Sequence, residues 1–226
     1  KNYFKDRWNW EVDYIGHPLM QVLADQTNLF HPLPNITGEK MIALLPGSRK
    51  QEIIKKLPEM LSVVSAFPEY HFAIAQAPGL DDEWFASLVP DHKNIHIVKG
   101  NTYALLNHSV AALVTSGTAT LETALLGVPE IVCYKGNPIT LALAKRFVKI
   151  KFIALVNLIM DKEVVKELIQ EDLNKKNLVQ ELSLLLEDEN KKAQLKDDYQ
   201  MLKQQLYTGK SATNVAAGII LEELSK

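Results

Sequence analysis

Val110-Ala111-Ala112-Leu113-Val114-Thr115-Ser116-Gly117-Thr118-Ala119-Thr120-Leu121-Glu122 carries strand, turn and helix signals in immediate succession. The apolar run Val110–Val114 reads as a strand buried on both faces. Thr115, Ser116 and Gly117 make a small-residue turn, and an apolar helical run follows, ending near Gly127. Strand, small turn and helix together leave backbone N–H groups open toward an anion. Ser116, Gly117 and Thr118 supply hydroxyls and amides there. Glu122 stands about one turn inside the helix, where a carboxylate reaches a neighbouring hydroxyl pair. The plainer reading makes Glu122 a first-turn acid favoured by the helix dipole. A capping box places its acid three residues after the cap, whereas Glu122 is four residues beyond Thr118.

Working outward, the same unit recurs. Met41-Ile42-Ala43-Leu44-Leu45 reads as a buried strand and Pro46-Gly47-Ser48-Arg49 as a turn, followed by a helix marked by Ile53, Ile54, Leu57, Leu61 and Val64. His71–Ala75, Ile95–Val98 and Glu130–Tyr134 read as further strands, with short helices near Trp84–Leu88 and Thr102–Asn107 between them. Strands apolar throughout and separated by helices imply a parallel sheet covered on both faces. The fold class is therefore α/β, a Rossmann-like doubly wound parallel sheet, predicted over residues 41–160. Such sheets bind ligands at the carboxyl ends of their strands. In the first loop of that kind, Gly47 permits close backbone approach, Ser48 is placed to cap the helix, and Arg49 offers a planar fork to phosphate. An ordinary turn with a solvated arginine is the competing reading.

The flanks are less regular. Trp8, Trp10, Val12 and Tyr14 alternate with polar residues as in a short strand. Ile15-Gly16-His17-Pro18 reads as a turn, and the segment around Pro32 and Pro34 as a connector ending at Gly38. Beyond Tyr134 the expectation is a helix over Ile139–Ile150, carrying Lys145, Arg146, Lys149 and then Lys151, and a sixth short strand at Phe152–Val156. The tail over 161–226 is expected to be helical: Glu163–Gln170, then Leu178–Tyr207 with a break near Asp188–Asn190, then Ala212–Leu224.

Composition narrows the function classes. With 47% hydrophobic and 23% charged residues, the chain is an ordinary globular protein with one good core. A formal net charge of -2 gives no bulk electrostatic reason to expect nucleic acid as a partner. Cys133 is the single cysteine and reads as a core thiol, which fits a reducing compartment. No apolar run approaches the roughly 20 residues of a membrane-spanning helix. There is no G-x-G-x-x-G and no G-x-x-x-x-G-K-[ST], so dinucleotide and ATP readings lose their usual support. His71, His92, His96 and His108 lack metal-ligand spacing, and neither a metal nor a cofactor is expected. The basic residues Lys145–Lys151, beside Ile139, Leu141, Leu143 and Phe147, read either as a solvated face or as an interfacial patch for anionic lipid. The chain opens at Lys1 with neither an initiator Met nor a signal peptide, as the middle of a longer protein would.

Five motifs in order carry a family resemblance. They are Ile15-Gly16-His17-Pro18, Leu44-Leu45-Pro46-Gly47-Ser48-Arg49, Ser116-Gly117-Thr118-Ala119-Thr120-Leu121-Glu122, Leu143-Ala144-Lys145-Arg146 and Asn157-Leu158. In these the chain resembles the lipid-A-disaccharide synthases, inverting glycosyltransferases of two-Rossmann (GT-B) architecture. The resemblance implies that residues 1–40 are a linker and the end of an absent N-terminal domain, that 41–160 bind the UDP-sugar, and that the helices of 161–226 pack on that domain or on a partner. It implies transfer of a sugar from UDP-2,3-diacylglucosamine to 2,3-diacylglucosamine 1-phosphate, giving the lipid A disaccharide precursor and UDP. Arg49 would face the diphosphate as the catalytic charge stabiliser. Gly47, Ser48, Ser116, Gly117 and Thr118 would surround the phosphates, and Glu122 would accept hydrogen bonds from the ribose. Asn157 and Gln170 match positions near the nucleotide.

The family's candidate general base belongs to the N-terminal half, so none is assigned, and this chain alone is expected to bind UDP weakly and not to catalyse. Relatives commonly read Pro-Asn-Leu followed shortly by Gly, whereas this chain has Val156-Asn157-Leu158-Ile159-Met160-Asp161, which leaves that loop's shape open. The implied partners are the UDP-sugar donor, the acylated acceptor, the N-terminal domain and a membrane surface met through Lys145, Arg146 and Lys149. The implied location is the cytoplasm, on the inner face of the inner membrane. The tail helices leave exchange between the protomers of a homodimer open. Two other readings stand beside this one: another UDP-sugar enzyme of GT-B type, such as a UDP-N-acetylglucosamine epimerase, and a non-catalytic Rossmann-like binding or oligomerisation domain.

Overall fold

The computed structural model describes residues 2–24, 40–136 and 151–225. The chain divides into two compact units, residues 26–199 and residues 1–25 with 200–226. The expected connector at Pro32–Gly38 and helix at Ile139–Ile150, including Lys145, Arg146 and Lys149, lie outside the described residues.

The larger unit is built on a six-stranded sheet, β1 (Met41–Leu45), β2 (His71–Gln76), β3 (Ile95–Lys99), β4 (Ser109–Thr115), β5 (Glu130–Tyr134) and β6 (Lys166–Ile169). Every pairing is parallel, and the order is β3-β2-β1-β4-β5-β6. This is the doubly wound Rossmann-like order, which reverses direction between β1 and β4. The helices between strands are α3 (Lys50–Leu61), α4 (Asp82–Ala86), α5 (Thr102–Asn107), α6 (Thr118–Leu125) and α7 (Leu155–Met160). After β6 come α8 (Lys175–Glu187) and α9 (Glu189–Leu206), whose residues from 200 on count with the smaller unit. One sheet face packs Met41, Ala43, Leu45, Ala112 and Val114 against Ala104–Leu106 of α5. The intervening residues Ile42, Leu44, Phe72, Ile74 and Leu113 are equally buried. Both faces of β1 and β4 are covered, which is why their sequences do not alternate.

Two local expectations in this unit are corrected. Phe152–Val156 is not a strand: α7 begins at Leu155. Glu163–Gln170 is not a helix: it contains β6 and leads into a 3-10 turn at Gln170–Asp172. As an edge strand β6 buries only Leu168 fully, so its polar neighbours mimic a helical pattern. A long-range bond set fixes the arrangement, because the Glu167 carboxylate accepts from Ile153 and Ala154 N–H at the start of α7. The expected break in the long tail helix is present at Asp188, whose carboxylate accepts from Asn190 and Lys191 N–H and opens α9.

In the smaller unit, Trp8–Tyr14 is not a strand. Helix α1 (Asn2–Trp8) ends where Asn9 adopts φ 52, and Trp8 and Trp10 are exposed. Pro18 opens α2 (Pro18–Ala24), and the last helix, α10 (Ala212–Leu224), is capped by Ser211. Gln21 accepts hydrogen bonds from Ser211 and Thr213 and ties α2 to the start of α10. Gly16 has φ 92 and lies so near Thr208 that a Cβ would meet its Oγ1 at 2.8 Å.

Candidate functional site

The direction of the sheet reverses between β1 and β4, and a cleft of about 410 Å³ opens at their carboxyl ends. Gly47, Ser48 and Arg49 enter it from the β1 loop, and Ser116, Gly117, Thr118 and Glu122 from the β4 turn and α6. These residues are distant in sequence, and the parallel β1–β4 pairing brings them together.

Gly47 lets the two loops approach. Its φ is 114, and a Cβ there would stand 2.8 Å from Glu52 Oε2 and 3.4 Å from Thr115 Cγ2. Arg49, not Ser48, is the N-cap of α3, and it caps through its backbone position without a side-chain bond. That leaves the guanidinium pointing outward, 80% exposed, with Nη1 paired to Glu52 Oε1 at 2.9 Å. An exposed pair of this kind is worth about 1 kcal/mol or less, so the guanidinium is weakly held where it is.

The β4 turn presents the opposite wall. Gly117 is the N-cap of α6 at φ 150, ψ -162, a backbone region open essentially to glycine. No side chain caps α6, so its first amides face outward with the dipole behind them. Ser116 Oγ donates to Ile153 O at 3.1 Å, which commits its hydroxyl proton to the protein. Ser116 therefore turns its backbone, more than its hydroxyl, toward the cleft. Glu122 sits in the second turn of α6, so the dipole-favoured first-turn reading does not apply. Its Oε1 accepts from the Tyr103 hydroxyl at 3.0 Å. Burial and the Glu122 charge push the Tyr103 phenol up to about 12, so it stays a donor.

Two residues at this site were missed in the sequence. Tyr103, on α5, is one. The other is Lys56 on α3, only 3% exposed. Its ammonium donates to Thr115 Oγ1, lies 3.7 Å from Glu52 Oε2 and stands 5.9 Å over the Tyr134 ring. Burial lowers its pKa, and Glu52 works against that shift. Lys56 falls on the Ile53–Leu57–Met60 stripe of α3, where a charged residue needs a partner; that spacing was the available signal.

Asn157 and Gln170 do not line the cleft. Asn157 is fully buried, with Nδ2 bonded to Val165 O and Glu167 Oε1 and Oδ1 accepting from Val164 and Val165 N–H. It reaches the site only indirectly, through Glu167 and the 153–154 backbone that receives Ser116. Gln170, at φ 55, pairs with the backbone of Gly136. Among the described residues no group of three or more His, Cys, Asp or Glu is placed to hold a metal ion.

Residues 1–220 match the family model described as lipid-A-disaccharide synthetase. The lipid-A-disaccharide synthase of Acidobacterium capsulatum is 34% identical over 212 residues, covering 82% of this chain and 51% of that protein. That of Geobacter sulfurreducens is 30% identical over 231 residues, covering 99% and 60%. The chain thus spans about half the length of the curated relatives it matches. In fold it is similar to a UDP-N-acetylglucosamine 2-epimerase, with TM-score 0.56, 15% identity and coverage of 100% of this chain and 55% of that one. It is also similar to the glycosyltransferase SnogD from Streptomyces nogalater, with TM-score 0.56, 21% identity and coverage of 85% and 46%. These two likenesses concern the fold alone.

Proposed function

The chain belongs to the lipid-A-disaccharide synthetase family, and from that premise we propose that it is the donor-binding half of an inverting hexosyltransferase. The reaction joins UDP-2,3-diacylglucosamine to 2,3-diacylglucosamine 1-phosphate and releases UDP. The observation that carries the reading is the placement of Arg49 and the amide end of α6 on one cleft at the sheet's reversal point.

The acceptor hydroxyl attacks the anomeric carbon of the donor, and the bond to the diphosphate breaks. Negative charge grows on the departing diphosphate. Arg49 leaves Glu52 to meet that charge, and the amides at Gly117–Ala119 meet it from the other side. Gly47 and Ser48 line the phosphate channel, and Glu122 accepts from the ribose hydroxyls with Tyr103 holding it. Asn157 and Gln170 support the site's loops rather than touching the nucleotide. The general base that takes the acceptor's proton lies in the part of the protein beyond this chain, so residues 1–226 by themselves bind UDP without turning over. Acylated substrates favour work at a membrane surface, and the reading puts the protein in the cytoplasm on the inner face of the inner membrane, with Lys145, Arg146 and Lys149 as the contact to anionic lipid. No described helix is long and apolar enough to cross a membrane.

The test is an assay of the complete protein with UDP-2,3-diacylglucosamine. UDP release that requires the acylated acceptor, and that falls about a hundredfold in Arg49→Ala, supports the reading. Epimerisation of UDP-N-acetylglucosamine without acceptor-dependent release overturns it.

A further inference from the structure

The floor of the cleft contains a buried cation with a defined direction. Lys56 Nζ donates to Thr115 Oγ1, and an ammonium has no lone pair with which to accept. Thr115 Oγ1 is therefore the acceptor, and its own proton must point elsewhere. No other hydrogen bond of that hydroxyl occurs among the described residues. Thr115 is 6% exposed and lines the cleft beside Gly47 and Ser116. Donating to an oxygen acceptor while receiving from a cation polarises a hydroxyl and strengthens it as a donor. Glu52 Oε2, 3.7 Å from the ammonium, keeps the buried charge compensated.

We infer that Thr115 is a further phosphate-contacting donor of this site and that Lys56 is the positioning residue that aims it. The inference rests on the diphosphate reading of the cleft and adds a third direction of approach to those of Arg49 and the α6 amides. Lys56 acts on the ligand through the hydroxyl, because it bonds Thr115, which lines the cleft, and is not itself among the lining residues.

The experiment is calorimetric titration of UDP and of uridine into the complete protein, comparing Thr115→Val, Thr115→Ser, Lys56→Met and the Val/Met double variant with wild type. Thr115→Val keeps the shape and removes the hydroxyl. It weakens UDP by about tenfold and leaves uridine unchanged, while Thr115→Ser stays within about twofold of wild type. Lys56→Met weakens UDP by a similar factor, and the double variant is no weaker than Lys56→Met alone. The Thr115 pair decides the proposal even where Lys56→Met reduces the yield of folded protein. UDP affinity unchanged in Thr115→Val but lost in Arg49→Ala overturns this inference and leaves the diphosphate reading standing. Unchanged affinity in both overturns the diphosphate reading itself. Losses that multiply in the double variant overturn the positioning role of Lys56.

Discussion

The Tyr103 hydroxyl donates to Glu122 Oε1 at 3.0 Å, and this bond joins the helix after β3 to the helix after β4. The phenol, pushed up to about 12 by burial and by the carboxylate, stays protonated across the neutral range. Glu122 is thereby held in one orientation, and the ribose role proposed for it uses its second oxygen. Tyr103→Phe is expected to weaken UDP by about fivefold, about 1 kcal/mol of lost orientation of Glu122. Titration against UDP and its 2′-deoxy analogue checks this, and the substitution should narrow the difference between the two ligands.

Gly47→Ala should damage both stability and binding. The φ of 114 strains any side chain, at about 1–3 kcal/mol. The new Cβ also pushes on Glu52 Oε2, whose other oxygen holds Arg49. Thermal melts should show a lower midpoint, and UDP affinity should fall with it.

The central sheet was legible because β1 and the inner residues of β4 and β5 are buried on both faces and read as apolar runs. The cleft was legible for the same reason, since its two glycine turns follow directly on β1 and β4. β6 was not, because an edge strand with one fully buried residue carries little periodicity. Lys56 and Tyr103 were missed because their partners, Thr115 and Glu122, are 59 and 19 residues away. Motif position, on which Asn157 and Gln170 were named, says nothing of which way a side chain is held; the structure bonds Asn157 to Val164, Val165 and Glu167 and Gln170 to Gly136.

Asn157 is the hinge pin of the support behind Ser116. Asn157→Leu removes four hydrogen bonds, three of them fully buried, and takes from the Glu167 carboxylate one of its donors. A loss of about 3 kcal/mol in unfolding free energy is expected, measured by urea denaturation. Because Ile153 O receives Ser116, UDP affinity in the folded fraction should drop as well.

Glu130 opens β5 fully buried, and neither carboxylate oxygen has a hydrogen-bond partner among the described residues. Burial raises its pKa well above 4.5. A raised folded value means the stability is fully present below the unfolded value and is lost as pH rises toward the folded one. The loss amounts to up to about 1.4 kcal/mol per pH unit within that window. Glu130→Gln should match wild type at pH near 4 and exceed it at pH near 7. Unfolding curves at the two pH values check the sign.

The central claim is that the β1 and β4 loops together hold a nucleoside diphosphate. Calorimetric titration of UDP and uridine into the complete protein, with Arg49→Ala and Glu122→Ala beside wild type, tests it most directly. Arg49→Ala should weaken UDP by at least about tenfold and spare uridine, as loss of a guanidinium–phosphate contact requires. Glu122→Ala should weaken both ligands. Equal UDP affinity in all three proteins would contradict the account.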